Sequence, residues 1–363
     1  MRRTSSPNER LPDIEQSRAD YALVSLFQLL MASKLGVIEH PVRSCLDLAI
    51  RGRSEFTFDG GLKISVSRKQ LRLLRALVEL SYPHGVVFGS PTTAAEGSWI
   101  VDQKNETLSL PGGLRMTLDS LLDPIVLAET FVYDLHFQGQ NLQDKTVIDV
   151  GANVGDTALY FASKGATVLA YEPDPYNFVK LERNIDLNPK LKSRISLHKE
   201  AVGADGEVSF KIGLLGASGE FAIGGEQTTV RSVSLKKILK RDLGSLRPWL
   251  IKIDAKGSER IIVPQPEIGL FEKVVVEYSL NQADPNSFDL LATHLLKMGF
   301  TISRRYKHNY GFFRTSYHGT LEACKVKSPI ENTTTPHSQP RMIQHRTIDT
   351  STVVTSLTNS EGD

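Results

Sequence analysis

The feature that most constrains this chain is the run Val147-Ile148-Asp149-Val150-Gly151-Ala152-Asn153-Val154-Gly155-Asp156-Thr157. Its apolar start has the length and composition of a buried strand, and the residues after Asp156 read as a helix. The join between them carries two glycines and an asparagine. Glycine allows a positive φ and close approach of a ligand to the backbone, and asparagine is the side chain that best tolerates the left-handed region. A strand, a tight turn and a helix in this order predict an open α/β sheet. In such sheets the crevice beyond the carboxyl ends of the strands is where ligands bind.

The residue types in the turn bear on what that ligand is. A dinucleotide loop has the pattern GxGxxG. If Gly151 is the first glycine, Asn153 replaces the second and Asp156 the third. A carboxylate at a helix N-terminus repels a pyrophosphate. S-adenosylmethionine (SAM) has no phosphate and carries an ammonium and a sulfonium, so Asp149 and Asp156 suit it. The next apolar run, Thr167 to Tyr171, ends at Glu172, and an acid there can accept hydrogen bonds from both ribose hydroxyls. The candidate cofactor residues are therefore Asp149, Gly151, Asn153, Gly155, Asp156, Thr157 and Glu172. Asp156 alone has a plainer reading as a helix cap; the turn and Glu172 together are what point to a ligand.

The rest of the chain extends this pattern. Helix-like Phe178–Leu187 and strand-like Ile195–His198, Leu250–Asp254 and Lys273–Tyr278 follow in alternation, and helical Leu290–Met298 ends at Gly299. Continuous apolar strands alternating with helices predict a mostly parallel sheet covered on both faces. We divide the sequence into a loose N-terminus (1–12), an accessory α+β region (13–115), the ligand-binding domain (116–327) and a tail (328–363). The accessory region has a strand signal at Leu62–Val66 and a helix signal over Leu71–Leu80. The tail has no aromatic residue and is rich in Ser and Thr, so it cannot bury enough surface to fold and is expected to be disordered.

The turn, Glu172 and several later stretches together resemble the FkbM family of class I methyltransferases, over about residues 118–325. His198-Lys199-Glu200-Ala201-Val202-Gly203 followed by Asp205-Gly206-Glu207-Val208 is similar to one family passage. Val233 to Leu239 resembles the helix start before its fourth strand, and Ile125 to Phe137 the helix before its first. Leu250-Ile251-Lys252-Ile253-Asp254-Ala255-Lys256-Gly257-Ser258-Glu259 resembles the Lys-x-Asp-x-x-Gly-x-Glu signature. Lys256 stands where the family usually has Glu, a reversal of charge that bears on acceptor preference. The resemblance implies a Rossmann-like, seven-stranded methyltransferase sheet and transfer of a methyl group from SAM. The acceptor it implies is a hydroxyl of a sugar, glycolipid or other small metabolite. It also implies a place near the adenine for Glu200 and Ala201.

Asp254 ends a buried strand and should face the same crevice as Gly151. Lys252 lies on the same strand face. Either could serve as a base after a pKa shift, or the two could be only an ion pair. With Glu259, at the next helix start, they form the candidate catalytic set; helix-dipole compensation is the plainer role for Glu259. The basic run Arg304-Arg305-Tyr306-Lys307-His308 reads as a solvated strand end. No His, Cys or acidic cluster has metal-ligand spacing, so no metal is expected.

A net charge of +2 gives no electrostatic footprint for nucleic acid, so an RNA or tRNA methyltransferase is the weaker alternative, as is an inactive scaffold with the same fold. Two isolated cysteines fit a reducing compartment. The apolar stretch Tyr21–Met31 is shorter than the roughly 20 residues a spanning helix needs. These features lead us to expect a cytoplasmic protein.

Overall fold

The structure, a computed structural model, describes residues 38–58, 62–67, 86–88, 99–102, 105–110, 112–122, 124–132, 141–211, 227–244, 246–255, 257–309 and 315–325. By its contacts the chain divides into Met1–Val326 and Lys327–Asp363, and every described element lies in the first unit. The apolar stretch Tyr21–Met31, the expected helix over Leu71–Leu80, the loose N-terminus, the tail and Lys256 all lie outside the described residues.

The N-terminal part contains two small sheets. Strands β1 (Ile38–Glu39), β2 (Arg53–Phe58) and β3 (Leu62–Ser67) form one, with helix α1 (Pro41–Arg51) between the first two. Strands β4 (Val86–Phe88), β5 (Trp99–Asp102), β6 (Thr107–Ser109) and β7 (Arg115–Thr117) form the other. A short connection of two tight helical turns follows. The second is α2 (Pro124–Leu127), which runs directly into a π turn over Ala128–Val132.

The main sheet then begins with β8 (Thr146–Val150), α3 (Asp156–Ser163), β9 (Thr167–Tyr171), α4 (Pro175–Asp186), α5 (Pro189–Lys192) and β10 (Ile195–His198). A small three-stranded sheet of β11 (Ala201–Val202), β12 (Gly206–Lys211) and β13 (Gln227–Val233) interrupts it. The main chain of elements resumes with α6 (Leu235–Arg241), β14 (Pro248–Ile253), α7 (Glu259–Ile262), β15 (Lys273–Ser279), α8 (Phe288–Lys297), β16 (Phe300–Asn309) and β17 (Thr315–Lys325).

The seven strands lie in the order β10-β9-β8-β14-β15-β17-β16. All pairs are parallel except β15–β17 and β16–β17. This is the Rossmann-like methyltransferase sheet that the sequence implies. Its strand order reverses direction between β8 and β14, which makes the crevice beyond those two strands the topological switch point. Alternation along the strands sorts the apolar side chains into two cores. Val147, Leu250 and Val275 pack on one face, and Ile148, Val150, Ile251, Ile253 and Val276 on the other. The first core also takes in Leu48, Phe56, Leu108 and Met116 from the N-terminal sheets. Asp149 and Lys252 are the polar exceptions on that face, and they are register partners on adjacent strands.

Several strands were not legible in the sequence, β13 and β17 of the ligand-binding domain among them. β13 alternates exposed and half-buried residues with little apolar signal. The Arg304–His308 run, expected as a solvated strand end, lies inside β16, paired along its length with β17. Arg304 bonds ionically to Glu322 at 3.3 Å and the Arg305 guanidinium lies 3.8 Å from the Phe288 ring centroid. These arginines serve the sheet rather than a surface ligand.

Candidate active site

The turn after β8 adopts the backbone its composition predicts. Gly151, Asn153 and Gly155 all have positive φ, at 76°, 49° and 88°. The amides of Gly151 and Ala152 both donate to the Tyr171 carbonyl at 3.0 Å, which ties the turn to the end of β9. The two glycines are also required by space. A Cβ on Gly151 would lie 1.9 Å from the Asp254 carbonyl oxygen, and one on Gly155 would lie 2.5 Å from Leu181 Cδ1. The loops after β8 and β14 are therefore in backbone contact at the switch point, and the Asp254 amide donates to the Val150 carbonyl at 3.0 Å.

Glu172 lies against this turn. Its Oε2 accepts from the Asn153 amide at 2.7 Å and its Oε1 from the Asp174 amide at 2.8 Å. It is 4% exposed. Burial pushes its carboxyl up to about 8, opposed by those two amides. One carboxyl thus bridges the glycine turn and the start of α4, where Asp174 caps the helix through Tyr176 and Asn177. Asn184, on the same helix, donates to the Val154 carbonyl at 2.7 Å and accepts from the Thr117 amide at 2.7 Å. It fixes the turn from below and is a supporting residue that no local sequence signal marks.

The other two acids of the turn work inside the protein. Asp149 is 0% exposed. Its Oδ2 accepts from Thr157 Oγ1 at 2.6 Å and its Oδ1 lies 3.2 Å from Lys252 Nζ. Asp156 is buried as well; its Oδ2 accepts from Thr130 Oγ1 at 2.5 Å, and burial pushes its carboxyl up to about 7. The sequence suggested that both acids would meet a cationic ligand directly. Their burial makes them supports instead: Asp149 anchors a lysine, and Asp156 anchors the π turn.

Lys252 is buried with them. Its Nζ is 3.2 Å from Asp149, 4.0 Å from Asp254 Oδ2 and 3.4 Å from the Gly151 carbonyl. Burial alone lowers its pKa, but the charges of Asp149, Asp254 and Asp156 together raise it above the usual lysine value. The three carboxylates favour its ammonium form, which counts against the role of base that the sequence left open to it. Asp254, at 25% side-chain exposure, reaches the crevice.

Glu259 and Glu200 are placed differently. The Glu259 carboxylate accepts from the Ala255 and Gly257 amides at 2.9 and 2.8 Å, so it holds the loop after β14. Glu200 accepts from both Arg241 nitrogens at 3.0 and 2.5 Å, and Arg231 lies 3.2 Å away. The Arg241 hydrogen bonds, with the charges of both arginines, keep its carboxyl below the usual range. Ala201 follows at the start of β11. Nearby, His198 stacks on Tyr171 with ring centroids 4.5 Å apart.

A cleft opens beside the turn. Glu129, Lys252, Ile253, Asp254, Val275, Glu277 and Thr320 line it. Glu277 on β15 is part of this lining, and Lys273 of the same strand pairs with Glu322. Glu129 and Thr320 carried no motif. The carboxylate oxygens of Asp254, Glu259 and Glu277 lie within 4.8 Å of one another. The sequence spacing gave no hint of such a group, because three separate elements bring it together.

The family model of the methyltransferase FkbM domain matches residues 149–302. This segment is similar to FkbM methyltransferase domains. Its boundaries take in the glycine turn, Glu172, Glu200 and the β14 loop, and leave out Glu129 and Thr320. The hexuronic acid methyltransferase AglP of Haloferax volcanii is 29% identical to the chain over 119 residues, 32% of this chain and 48% of that protein. The chain thus matches about half the length of that relative. Among solved structures, the methyltransferase FkbM from Methylobacillus flagellatus KT is 20% identical, covering 55% of this chain and 47% of that one, with a TM-score of 0.38. The ribosomal protein L11 methylase from Lactobacillus delbrueckii subsp. bulgaricus is 15% identical, covering 66% and 93%, with a TM-score of 0.34. Among the described residues, no helix is long and apolar enough to cross a membrane.

Proposed function

We propose that the chain is a SAM-dependent methyltransferase that methylates a hydroxyl oxygen of a sugar, glycolipid or other small metabolite. The observation that carries this reading is the Glu172 carboxyl, bonded to the Asn153 amide of a glycine turn at the switch point. The donor set fits the cofactor: an acid at the end of β9 for the ribose hydroxyls, a turn free of pyrophosphate-binding features, and an FkbM domain over the same residues. Gly151, Asn153 and Gly155 would form the cofactor cradle, with Glu172 at the ribose and Glu200 and Ala201 towards the base. When bound there, SAM supplies an electrophilic methyl group.

The chain's own residues then have limited work to do. They hold the acceptor in line and keep water out, because proximity accounts for much of the rate. Asp254 is the carboxylate placed to take the proton of an acceptor hydroxyl. Lys252 lies 4.0 Å from Asp254 and 3.4 Å from the Gly151 carbonyl, and so links it to the cofactor turn, and Glu259 keeps the loop carrying it in shape. The relative AglP, a hexuronic acid methyltransferase, supports a sugar-type acceptor.

Titration calorimetry of the full chain with S-adenosylhomocysteine tests the reading. Micromolar binding that weakens at least tenfold in Glu172→Ala is expected. A chain that binds neither SAM nor its product overturns it, and points to a scaffold that keeps only the fold.

A further inference from the structure

We propose that Asn184 is a positioning residue for the cofactor turn, and that its side chain is oriented by Thr117 and Ser120, which lie outside the 149–302 segment. The inference rests on the methyltransferase reading above and gives the end of the N-terminal part a share in cofactor binding.

Asn184 lies on α4 and is 0% exposed. Its side-chain nitrogen donates to the Val154 carbonyl at 2.7 Å and to Ser120 Oγ at 2.9 Å, and its oxygen accepts from the Thr117 amide at 2.7 Å. A carboxamide has two donor hydrogens and one acceptor oxygen, so each end is engaged. The Thr117 amide can only donate, and the Val154 carbonyl can only accept. A flipped carboxamide would set nitrogen against N–H and oxygen against oxygen. One orientation is left, and β7 fixes it together with the tight turn Leu118–Leu122. Thr117 Oγ1 and Ser120 Oγ are joined in turn by a hydrogen bond of 3.0 Å.

Val154 stands between Asn153 and Gly155, whose φ angles are 49° and 88°. The left-handed region strains a residue other than glycine, and such a conformation persists only where its surroundings hold it. Two side chains hold it here. Glu172 accepts from the Asn153 amide, and Asn184 donates to the next carbonyl. Loss of Asn184 removes a partner of that interior carbonyl and lets the turn relax from the geometry that Glu172 meets. Asn188, one helical turn further along α4, provides an internal comparison. It accepts from the Arg115 amide at 2.9 Å and donates to the Arg115 carbonyl at 2.6 Å. It also donates to the Asn184 carbonyl at 2.7 Å. These bonds hold β7 and the helix, and none of them runs to the cofactor turn.

The test uses the full chain and S-adenosylhomocysteine. Calorimetry reads affinity, denaturant unfolding reads stability, and hydrogen exchange by mass spectrometry follows a peptide that covers the turn. Asn184→Ala should weaken binding roughly tenfold or more, the scale of one lost interior hydrogen bond, and should speed exchange in the turn. Ser120→Ala removes an orienting partner and leaves the bond to Val154 in place; it should weaken binding about fivefold. Asn188→Ala loosens the hold on β7 and should keep affinity within about twofold of the parent, even where it costs as much stability, because no bond to the turn is lost. Binding by Asn184→Ala within twofold of the parent overturns the proposal. Equal losses of affinity in Asn184→Ala and Asn188→Ala also overturn it, because Asn184 would then act only through general stability. Unchanged affinity in Ser120→Ala does so as well. If Asn184→Ala does not fold, Ser120→Ala against Asn188→Ala decides with the same thresholds. Failure of the parent to bind S-adenosylhomocysteine is a separate result and removes the methyltransferase reading itself.

Discussion

The two sides of the site are built differently. On the cofactor side, Asp149, Asp156 and Glu172 are buried, and each has both a partner and a structural task. On the acceptor side, Asp254, Glu129 and Glu277 are only partly covered and face an open cleft. The first arrangement tolerates little change, because every group is held by a neighbour that would be left unsatisfied. The second brings acids from three separate elements to the lining of one cleft. A methyltransferase needs both: a fixed place for one common donor, and an adjustable place for the acceptor.

Four perturbations would break or sharpen that contrast. Gly151→Ala places a Cβ on the Asp254 carbonyl and forces alanine into a positive φ. Strain and overpacking together should cost about 3–6 kcal/mol, read as a fall in the unfolding midpoint and loss of S-adenosylhomocysteine binding. A mild effect would mean that the loops after β8 and β14 are not locked together. Next, Lys252→Met strands Asp149 as a buried uncompensated charge and should cost about 3–5 kcal/mol. The double variant Asp149→Asn/Lys252→Met should recover much of that loss in denaturant unfolding; no recovery would show that the pair is not the reason.

The third concerns pH. Burial puts the Glu172 carboxyl at about 8, above its unfolded value. In the free protein it is therefore largely protonated below pH 8, whereas ribose hydroxyls favour the carboxylate. Affinity for S-adenosylhomocysteine should rise with pH up to about 8, by at most about tenfold per unit, and level off above. Glu172→Gln should flatten that component of the profile, leaving any contribution from Asp156, whose carboxyl burial raises to about 7. The same shifts make both acids destabilising as pH rises. Their contribution is favourable below the unfolded carboxyl values and is lost by pH 7 for Asp156 and pH 8 for Glu172. An affinity independent of pH in the parent would remove Glu172 from the ribose. Smallest of all, Glu129→Gln should change unfolding by no more than about 0.5 kcal/mol, the usual range for partly exposed positions. A larger loss of stability would place Glu129 in the framework rather than in the cleft.

The glycine turn and the acid beside it were legible before any coordinates. Gly151, Asn153, Gly155 and Glu172 are close in sequence, and each obeys a local rule: positive φ, close approach, or an acid at a strand end. Those rules did not show that Asp149 and Asp156 are buried. A carboxylate at a helix start reads the same whether it looks outward to a ligand or inward to Lys252 and Thr130. The acceptor side was barely legible. Glu277 and Asp254 were visible as strand-end acids, but Glu129 and Thr320 carry no pattern, because a π turn and an antiparallel hairpin bring them in from outside the alternating segment.

The sequence by itself determined the α/β sheet, the glycine turn and the acid that closes on it, since these follow from periodicity and backbone preference within short windows. Tertiary structure alone decided that Lys252 sits between Asp149 and Asp254, that Glu259 holds a loop, that Glu200 is clamped by arginines, and that Glu129 shares a cleft with Asp254. Each of those depends on burial and on distances between elements far apart in the chain, and neither quantity is written in a local run of residues.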